Sequence, residues 1–143
     1  MLPLLEAASS AEGSQRSSII NISSIDSLST SMLDTYAYSS GKAAVSHMSR
    51  VIAGRFGAEG RRINVNAVCP GPFRSRMMRA TIEAVGESAL GGGVGRIGHP
   101  EDMAAVTLLL ASKGGEYIMG DCIVVDGGSV VLPHRGWRPS SKL

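Results

Sequence analysis

The sequence predicts an α/β fold in which about three parallel strands pack between helices. Residues 17–23, 63–69 and 121–126 are rich in β-branched residues and carry no charge apart from Asp121 and Asp126 at the ends of the third run, which is typical of buried parallel strands. Helical patterns lie between these runs, and strands that alternate with helices indicate βαβ units. The composition is that of a globular protein, since 43% of the 143 residues are hydrophobic and 18% are charged.

A connection leads into the first strand. The Ser-, Gly- and Glu-rich residues 8–16 predict this connection, and residues 2–8 before it are assigned to the end of a helix by the family resemblance given below. Ser24 follows this strand at its carboxyl end, where open α/β sheets bind their ligands. Residues 26–35 are rich in Ser and Thr and predict a mobile rim beside that site.

Apolar residues recur every three or four positions after Ala37 and predict one helix of roughly twenty residues. Gly57 or Gly60 is expected to end this helix. Gly41 lies inside it, where a glycine costs about 1 kcal/mol relative to alanine. The predicted apolar face consists of Ala44, Val45, Met48, Val51, Ile52 and Phe56.

Tyr38 and Lys42 lie four residues apart near the start of this helix, so their side chains project from one face. A nearby ammonium group favours the ionised form of a phenol, which suits the pair to general acid–base chemistry on a carbonyl or an alcohol. The ammonium group also offers hydrogen-bond donors to a sugar hydroxyl. Because Tyr and Lys occur at this spacing on many helices, the neighbouring motifs decide the interpretation.

Four motifs occur in a fixed order, at residues 19–24 (IINISS), 38–42 (YSSGK), 63–71 (INVNAVCPG) and 124–128 (VVDGG). In this order the chain resembles the short-chain dehydrogenase/reductase family, and most closely its branch of 3-oxoacyl reductases. The resemblance implies a Rossmann-like, doubly wound parallel sheet. It implies that residues 1–132 are a partial domain, the C-terminal half, without the N-terminal dinucleotide-binding half and its glycine-rich turn.

The resemblance also implies a catalytic triad. Tyr38 would exchange the proton with the substrate, Lys42 would hold the nicotinamide ribose and assist the tyrosine, and Ser24 would orient the carbonyl oxygen. Ser24 and Tyr38 are fourteen positions apart, one more than is common in the family. Ser23 is the alternative to Ser24.

A cofactor site is implied after the second predicted strand. Pro70, Gly71, Phe73 and Ser75 match the family's turn around the nicotinamide carboxamide, with Ser75 where the family has Thr. The implied reaction is hydride transfer between NADP or NAD and a carbonyl or secondary alcohol, of 3-oxoacyl or secondary-metabolite type. The family favours NADP, and it also implies a homo-oligomer.

A literal G-x-G-x-x-G at residues 93–98 is not interpreted as a dinucleotide site, because such a motif must directly follow a strand. It matches the family segment that opens the last helix, predicted here at residues 100–112, with His99 as a cap or rim residue. Residues 77–90 predict a helix that corresponds to the family's variable substrate lid.

Other function classes find little support in the sequence. Cys69 and Cys122 lack metal or redox spacing and predict small buried residues. Three of the 14 basic residues lie in residues 133–143, which leaves 11 basic against 12 acidic residues, so no nucleic-acid-binding patch is expected. No apolar run reaches the ~20 residues of a membrane span, so no membrane partner is expected either.

Residues 133–143 predict a flexible tail that ends in Ser141, Lys142 and Leu143. Peroxisomal import receptors read this tripeptide at a free C-terminus, so a peroxisomal location is expected, with a cytoplasmic location as the alternative. The competing functional hypothesis is a truncated, catalytically inactive remnant or an oligomerisation module. The family resemblance supports this alternative too, because the Tyr/Lys helix commonly mediates association in that family.

Overall fold

Three parallel strands form the centre of the structure, a computed structural model that describes residues 1–10, 15–29 and 35–132. The sheet order is β1-β2-β3, and both neighbouring pairs are parallel. The predicted α/β class is therefore confirmed. In chain order the elements are helix α1 (Leu2–Ser10), strand β1 (Ser17–Ile22), helix α2 (Tyr36–Ala58), strand β2 (Ile63–Pro70), helix α3 (Arg79–Val85), helix α4 (Pro100–Ala111) and strand β3 (Cys122–Val125).

Helices cover both faces of this sheet. The side chains of Ser17 and Asn21 hydrogen-bond to α1 and α2, respectively, so one face of β1 is turned toward these two helices. Ser18, on the opposite face, hydrogen-bonds to α4. Residues 63–69 of the central strand β2 are all buried between the two helical layers.

Strand β1 is less buried than the sequence predicts. It was expected to be buried on both faces, yet it is half-buried along most of its length and the side chain of Ile22 is 49% exposed. The reason is its position, because among the described residues only β2 pairs with it and β1 is an edge strand. An apolar edge strand presents unpaired backbone groups that can pair with another chain.

Helix α2 has the predicted position, but its most buried residues are not those of the predicted apolar face. The buried residues of α2 are Ser46, Ser49 and Ala53, whereas Met48 and Val51 of the apolar face are 48% and 56% exposed. The reason is that Ser46 and Ser49 hydrogen-bond to side chains of residues 21–27, which fixes their face against the sheet. The predicted apolar face is therefore only partly covered, since Val45, Ile52 and Phe56 are half-buried whereas Ala44, Met48 and Val51 are exposed.

Two predicted boundaries differ from the structure. Helix α1 runs on to Ser10 instead of ending near residue 8. The helix predicted over residues 77–90 is limited to α3 and a 3-10 turn at Ser88–Leu90, because Gly86 adopts a φ of 79° and ends α3. The predicted rim starts with a 3-10 turn at Ile25–Ser27, while residues 30–34 and the predicted tail 133–143 lie outside the described residues.

Two buried asparagines on β2 fix the connection that leads into β3. Asn64 Nδ2 donates to Glu116 O and Asn66 Nδ2 donates to Ile118 O, both at 2.8 Å. Asn66 Oδ1 accepts from Asp121 N at 3.0 Å. Because a buried amide without partners would destabilise the fold, these bonds hold the connection against β2 and set the start of β3.

Candidate active site

The carboxyl ends of the strands lie at one edge of the sheet, and the predicted site residues flank that edge. Ser24 follows β1, and the turn of Pro70 and Gly71 ends β2. Helix α2 brings Lys42 to the same edge, because Lys42 Nζ donates to the carbonyl of Ile22, the last residue of β1, at 2.9 Å. The Tyr/Lys helix is thus joined to the strand that carries the predicted serine.

Tyr38 and Lys42 share one face of α2, as their spacing predicts. Lys42 Nζ lies 5.6 Å from the centroid of the Tyr38 ring, a distance at which a cation interacts favourably with an aromatic ring. The bond to Ile22 O uses one of the three donors of the ammonium group, which leaves two for another acceptor. Within the described residues, the Tyr38 hydroxyl has no hydrogen-bond partner.

The two serines after β1 direct their hydroxyls to different partners. Ser23 Oγ donates to Lys42 O at 2.9 Å and shares a 2.7 Å hydrogen bond with Ser46 Oγ, so it is committed to α2. Ser24 Oγ accepts from Asp26 N at 3.2 Å, and its own proton has no acceptor in the described part of the chain. Ser24 is therefore the hydroxyl that can donate to a ligand, which supports the choice of Ser24 over Ser23; its catalytic role stays a prediction.

Asp26 adds a carboxylate beside Ser24 that the sequence analysis did not single out. It lies in the 3-10 turn Ile25–Ser27, for which Ser24 is the N-cap, and its own N–H donates to the Ser24 side chain. Burial raises the pKa of the Asp26 carboxyl above its usual value of 3.8. In the ranges that the structure describes, no group donates a hydrogen bond to this carboxylate. The available sequence signal was only its place, two residues after Ser24.

The turn after β2 approaches the end of β3 too closely for a side chain at Gly71. A Cβ atom on Gly71 would lie 2.7 Å from Asp126 Cβ and 2.8 Å from Asp126 Cα. Gly71 N also donates to Val125 O at 2.9 Å. Asp126 itself is fixed, since its carboxylate accepts from the backbone N–H groups of Gly128 and Val130 at 2.8 Å each. The close contact with Asp126 therefore requires glycine at position 71.

Phe73 and Ser75 follow this turn, and both contact residues later in the chain, before α4. Phe73 forms an isolated parallel bridge with Gly98, whose N–H donates to the carbonyl before Phe73 at 2.9 Å. Ser75 Oγ accepts from Met78 N at 3.2 Å, just before α3. The structure therefore places both residues beyond the carboxyl end of β2 as predicted, whereas their part in a cofactor site stays a prediction.

The glycine-rich residues 93–98 begin inside the 3-10 turn Gly92–Val94, end before α4 and do not follow a strand directly. Arg96 donates to the two oxygens of Asp102 at 2.7 and 3.1 Å, and His99 N donates to Asp102 Oδ2 at 2.7 Å. The Arg96 guanidinium, followed by the His99 N–H, holds the pKa of the Asp102 carboxyl well below its usual 3.8. These contacts secure the start of α4, which agrees with a capping function for this segment.

A cleft of about 350 Å³ opens at the carboxyl end of β3. Its lining includes Phe73, Arg96 and residues 124–128 but not Ser24, Tyr38 or Lys42. The cleft therefore touches the predicted cofactor turn and not the predicted triad.

Cys69 is buried and Cys122 is half-buried, and both are free thiols. Within residues 1–10, 15–29 and 35–132, no group of three or more His, Cys, Asp or Glu side chains could hold a metal ion. None of the helices described is both long enough and apolar enough to cross a membrane.

Comparison with known proteins assigns the chain to a family. A family model described as enoyl-(acyl carrier protein) reductase matches residues 2–130. The rhamnolipids biosynthesis 3-oxoacyl-[acyl-carrier-protein] reductase of Pseudomonas aeruginosa is 40% identical over 131 residues, which cover 90% of this chain and 50% of that protein. The 3-oxoacyl-[acyl-carrier-protein] reductase FabG of Thermotoga maritima is 38% identical over 115 residues, which cover 80% and 46%. The chain thus spans about half the length of these relatives.

Solved structures agree with this assignment. The Pseudomonas aeruginosa RhlG/NADP active-site complex superposes with a TM-score of 0.78 at 39% identity and covers 89% of this chain and 49% of that chain. ElxO with NADP bound superposes with a TM-score of 0.69 at 28% identity and covers 80% and 47%. From the motifs, the parallel sheet and these matches, we conclude that the chain belongs to the short-chain dehydrogenase/reductase family.

Proposed function

We propose that this chain supplies the catalytic residues of an oxidoreductase that interconverts a carbonyl and a secondary alcohol with NADP or NAD. The observation that carries the proposal is the position of the Lys42 ammonium group, 5.6 Å from the Tyr38 ring centroid and 2.9 Å from Ile22 O. This places a phenol and a fixed positive charge together at the ligand-binding edge of the sheet. The names of the relatives, which include 3-oxoacyl reductases and NADP complexes, support it.

The residues present fit the nicotinamide end of such a cofactor. After its bond to Ile22 O, the Lys42 ammonium group retains two donors, which suit the hydroxyls of a ribose. Gly71 itself has no side chain, and its neighbours Pro70, Phe73 and Ser75 would complete the contacts to the carboxamide. The bound dinucleotide would supply or accept the hydride. NADP is favoured over NAD because several similar structures are NADP complexes.

The residues of the chain would handle the proton and the developing charge. The Tyr38 hydroxyl, which has no partner in the described residues, would donate its proton to the carbonyl oxygen during reduction. The Ser24 hydroxyl accepts from Asp26 N and retains its own proton, so it would donate to the same oxygen and orient it. The Lys42 charge would stabilise the tyrosinate that remains.

The substrate class that we propose is a 3-oxoacyl thioester, because two relatives are 3-oxoacyl-[acyl-carrier-protein] reductases. A secondary-metabolite ketone is the alternative, since a Diaporthe leptostromiformis relative named short-chain dehydrogenase/reductase PhomF is 35% identical over 137 residues. Measurement of kcat/KM for a 3-oxoacyl thioester and for a ketone would distinguish the two substrate classes. A higher kcat/KM for the ketone would contradict the thioester assignment.

The test uses a chimaera in which the first half of the Pseudomonas aeruginosa relative precedes this chain, because doubly wound folds bind the pyrophosphate at their first βα turn. Lys42→Ala should weaken NADPH binding and reduce turnover by about 10–100-fold each, as expected for lost hydrogen bonds from a charged group. Lys113→Ala is the matched control, since Lys113 is exposed in the turn after α4. Equal effects of the two substitutions would contradict the proposal.

A second candidate function, association of copies of the chain, is favoured by the exposed apolar face of α2. Met48 and Val51 lie on this face about half exposed, and adjoining apolar side chains exposed on a surface helix mark interaction sites. Val51→Glu should shift sedimentation toward the monomer, whereas Ala105→Glu at an exposed position of α4 should not. An unchanged distribution of species in Val51→Glu would exclude this face as the interface.

The peroxisomal address is proposed from the tripeptide Ser141, Lys142 and Leu143 alone. These residues lie outside the described residues, and the support is the receptor-read sequence itself. The partner would be a peroxisomal import receptor, with a cytoplasmic location as the alternative outcome.

A further inference from the structure

One buried hydroxyl of α2 contacts the Ser24 turn on both of its sides. Ser46 is 5% exposed and Ser23 is 3% exposed. The Oγ atoms of Ser46 and Ser23 share a hydrogen bond of 2.7 Å, and Ser46 Oγ donates to Ser27 Oγ at 3.0 Å. Ser23 directly precedes Ser24, and Ser27 is the last residue of the 3-10 turn that Ser24 caps. A single helix side chain therefore holds the chain just before and just after the predicted catalytic serine.

The same hydroxyls also reach the backbone of the predicted catalytic residues. Ser23 Oγ lies 2.9 Å from Lys42 O and can donate its single proton either there or to Ser46 Oγ, and Ser27 Oγ donates to Ser24 O at 2.6 Å. We call Ser23, Ser27 and Ser46 the serine clamp. Four contacts link the carbonyl of Ser24 to the carbonyl of Lys42 through these hydroxyls, and the three hydroxyl protons can form three of the four hydrogen bonds at one time.

Cys69 of strand β2 packs against the serine clamp through its sulfur atom. Cys69 Sγ lies 3.8 Å from Ser27 Oγ and 3.9 Å from Ser46 Oγ, and Cys69 is fully buried. The clamp is therefore enclosed between α2, the Ser24 turn and the sheet.

The chemistry of the clamp indicates a role in fixing geometry. Burying a hydroxyl is unfavourable unless it is hydrogen-bonded, and apolar side chains of similar volume would pack between a helix and a strand end at no such cost. Hydrogen bonds between hydroxyls differ from apolar contacts because they hold their atoms to narrow distances and directions. Three such groups at one junction restrict how the Ser24 turn can move against α2.

We propose that Ser46 is a positioning residue which, through Ser23 and Ser27, sets where the Ser24 hydroxyl lies relative to Tyr38 and Lys42. The catalytic meaning of this role rests on the proposed function, whereas the structural restraint does not. Ser46 itself touches no reacting group in this account. Ser46 acts by fixing the position of the Ser24 hydroxyl relative to the helix that contains Tyr38 and Lys42.

The test is hydrogen exchange of the 143-residue chain, followed by mass spectrometry. The reporters are the amides of residues 27–29, which donate to carbonyls inside the Ser24 turn. Ser46→Ala should accelerate their exchange by about tenfold while β2 keeps its protection. Ser49→Ala is the matched control, because Ser49 is fully buried on the same helix but bonds to Asn21, and it should leave the reporters unchanged.

Equal exchange of the reporters in Ser46→Ala and Ser49→Ala would overturn the proposal. If Ser46→Ala loses protection throughout the chain, Ser27→Ala decides, because it removes the Ser46–Ser27 contact from the less buried side, together with the clamp bond of Ser27 Oγ to Ser24 O. Faster exchange confined to the turn in Ser27→Ala supports the clamp, and unchanged exchange refutes it.

The second readout is kinetic and uses the chimaera described above. Ser46→Ala should lower kcat by about tenfold with an unchanged Kd for NADPH, and Ser49→Ala should change neither. A loss of NADPH affinity equal to the loss of kcat would indicate a merely structural role for Ser46. Absence of NADPH-dependent reduction in the unsubstituted chimaera would contradict the proposed function and leave the exchange result to judge the clamp on its own.

Discussion

Replacing Gly71 with alanine should destabilise the chain, while the same replacement at Gly41 should stabilise it. A Cβ atom on Gly71 would lie 2.7 Å from Asp126 Cβ and 2.8 Å from Asp126 Cα. Asp126 cannot yield easily, because its carboxylate accepts two backbone hydrogen bonds. A Cβ atom on Gly41 would meet no atom within 4 Å, and Gly41 lies inside α2.

The magnitudes follow from these contacts. Overpacking at a close contact costs about 1–3 kcal/mol, and displacement of Gly71 from Val125 would also weaken a 2.9 Å backbone hydrogen bond of about 1 kcal/mol. Gly71→Ala should therefore lower the free energy of unfolding by about 2–4 kcal/mol. Gly41→Ala should raise it by up to about 1 kcal/mol, because alanine is the better helix former.

Urea denaturation of the 143-residue chain, followed by circular dichroism, measures both effects. With a slope of about 2 kcal/mol per M, the midpoint should fall by about 1–2 M in Gly71→Ala and rise by up to about 0.5 M in Gly41→Ala. A midpoint of Gly71→Ala equal to that of the unsubstituted chain would refute the close approach of β2 and β3. A fall in both variants would point to a general intolerance of substitution.

Three further predictions concern charge and targeting. Burial raises the pKa of Asp26 above 3.8, so the stability from its protonated form is present below pH 3.8 and is lost as pH rises through the raised value. Asp26→Asn should therefore raise the urea midpoint at about pH 7 and not at about pH 3. Equal midpoints of the variant and the unsubstituted chain at neutral pH would contradict this. Arg96 and His99 lower the pKa of Asp102, so the stability from its ionised form is present above pH 3.8 and is lost as pH falls through the lowered value; Asp102→Asn should lower the midpoint at neutral pH, with a difference that shrinks in acid. A fluorescent protein fused ahead of residue 1 should collect in peroxisomes only while Leu143 is the free C-terminus, and diffuse signal from the intact fusion would remove the localisation proposal.

The strands and the position of the Tyr/Lys helix could be predicted because their signals are local. The apolar runs at residues 17–23 and 63–69 end within one residue of β1 and β2, and β-branched composition reports directly on strand formation. The helical periodicity after Ala37 likewise locates α2. In both cases neighbouring residues contain the information that decides the structure.

The orientation of α2 could not be predicted from its periodicity, because tertiary hydrogen bonds decide it. The predicted apolar face satisfies the usual rule for a core face, yet Met48 and Val51 on it are exposed and the most buried residues include Ser46 and Ser49. The partners of these serines come from residues 21–27, which lie 19 to 28 positions earlier. Two serines three residues apart in α2 were the available signal.

The residues of the candidate site were predicted from the sequence, whereas the contacts between them were not. Ser24, Tyr38 and Lys42 were identified from motifs, whereas the bond of Lys42 Nζ to Ile22 O depends on how α2 crosses the strand end. The requirement for Gly71 likewise depends on Asp126, which lies 55 residues later in the sequence. Contacts between distant segments are set by packing, which a local pattern does not encode.

The most direct test of the proposed chemistry is Tyr38→Phe in the chimaera, with turnover of a 3-oxoacyl thioester and binding of NADPH measured on the same preparation. The substitution removes only the hydroxyl, so the ring face near Lys42 Nζ is kept. A general acid contributes about 10²–10⁴-fold to a rate, so kcat should fall by that factor while the Kd for NADPH stays within about twofold. Turnover within about threefold of the unsubstituted protein would contradict the assignment of Tyr38 as the proton donor.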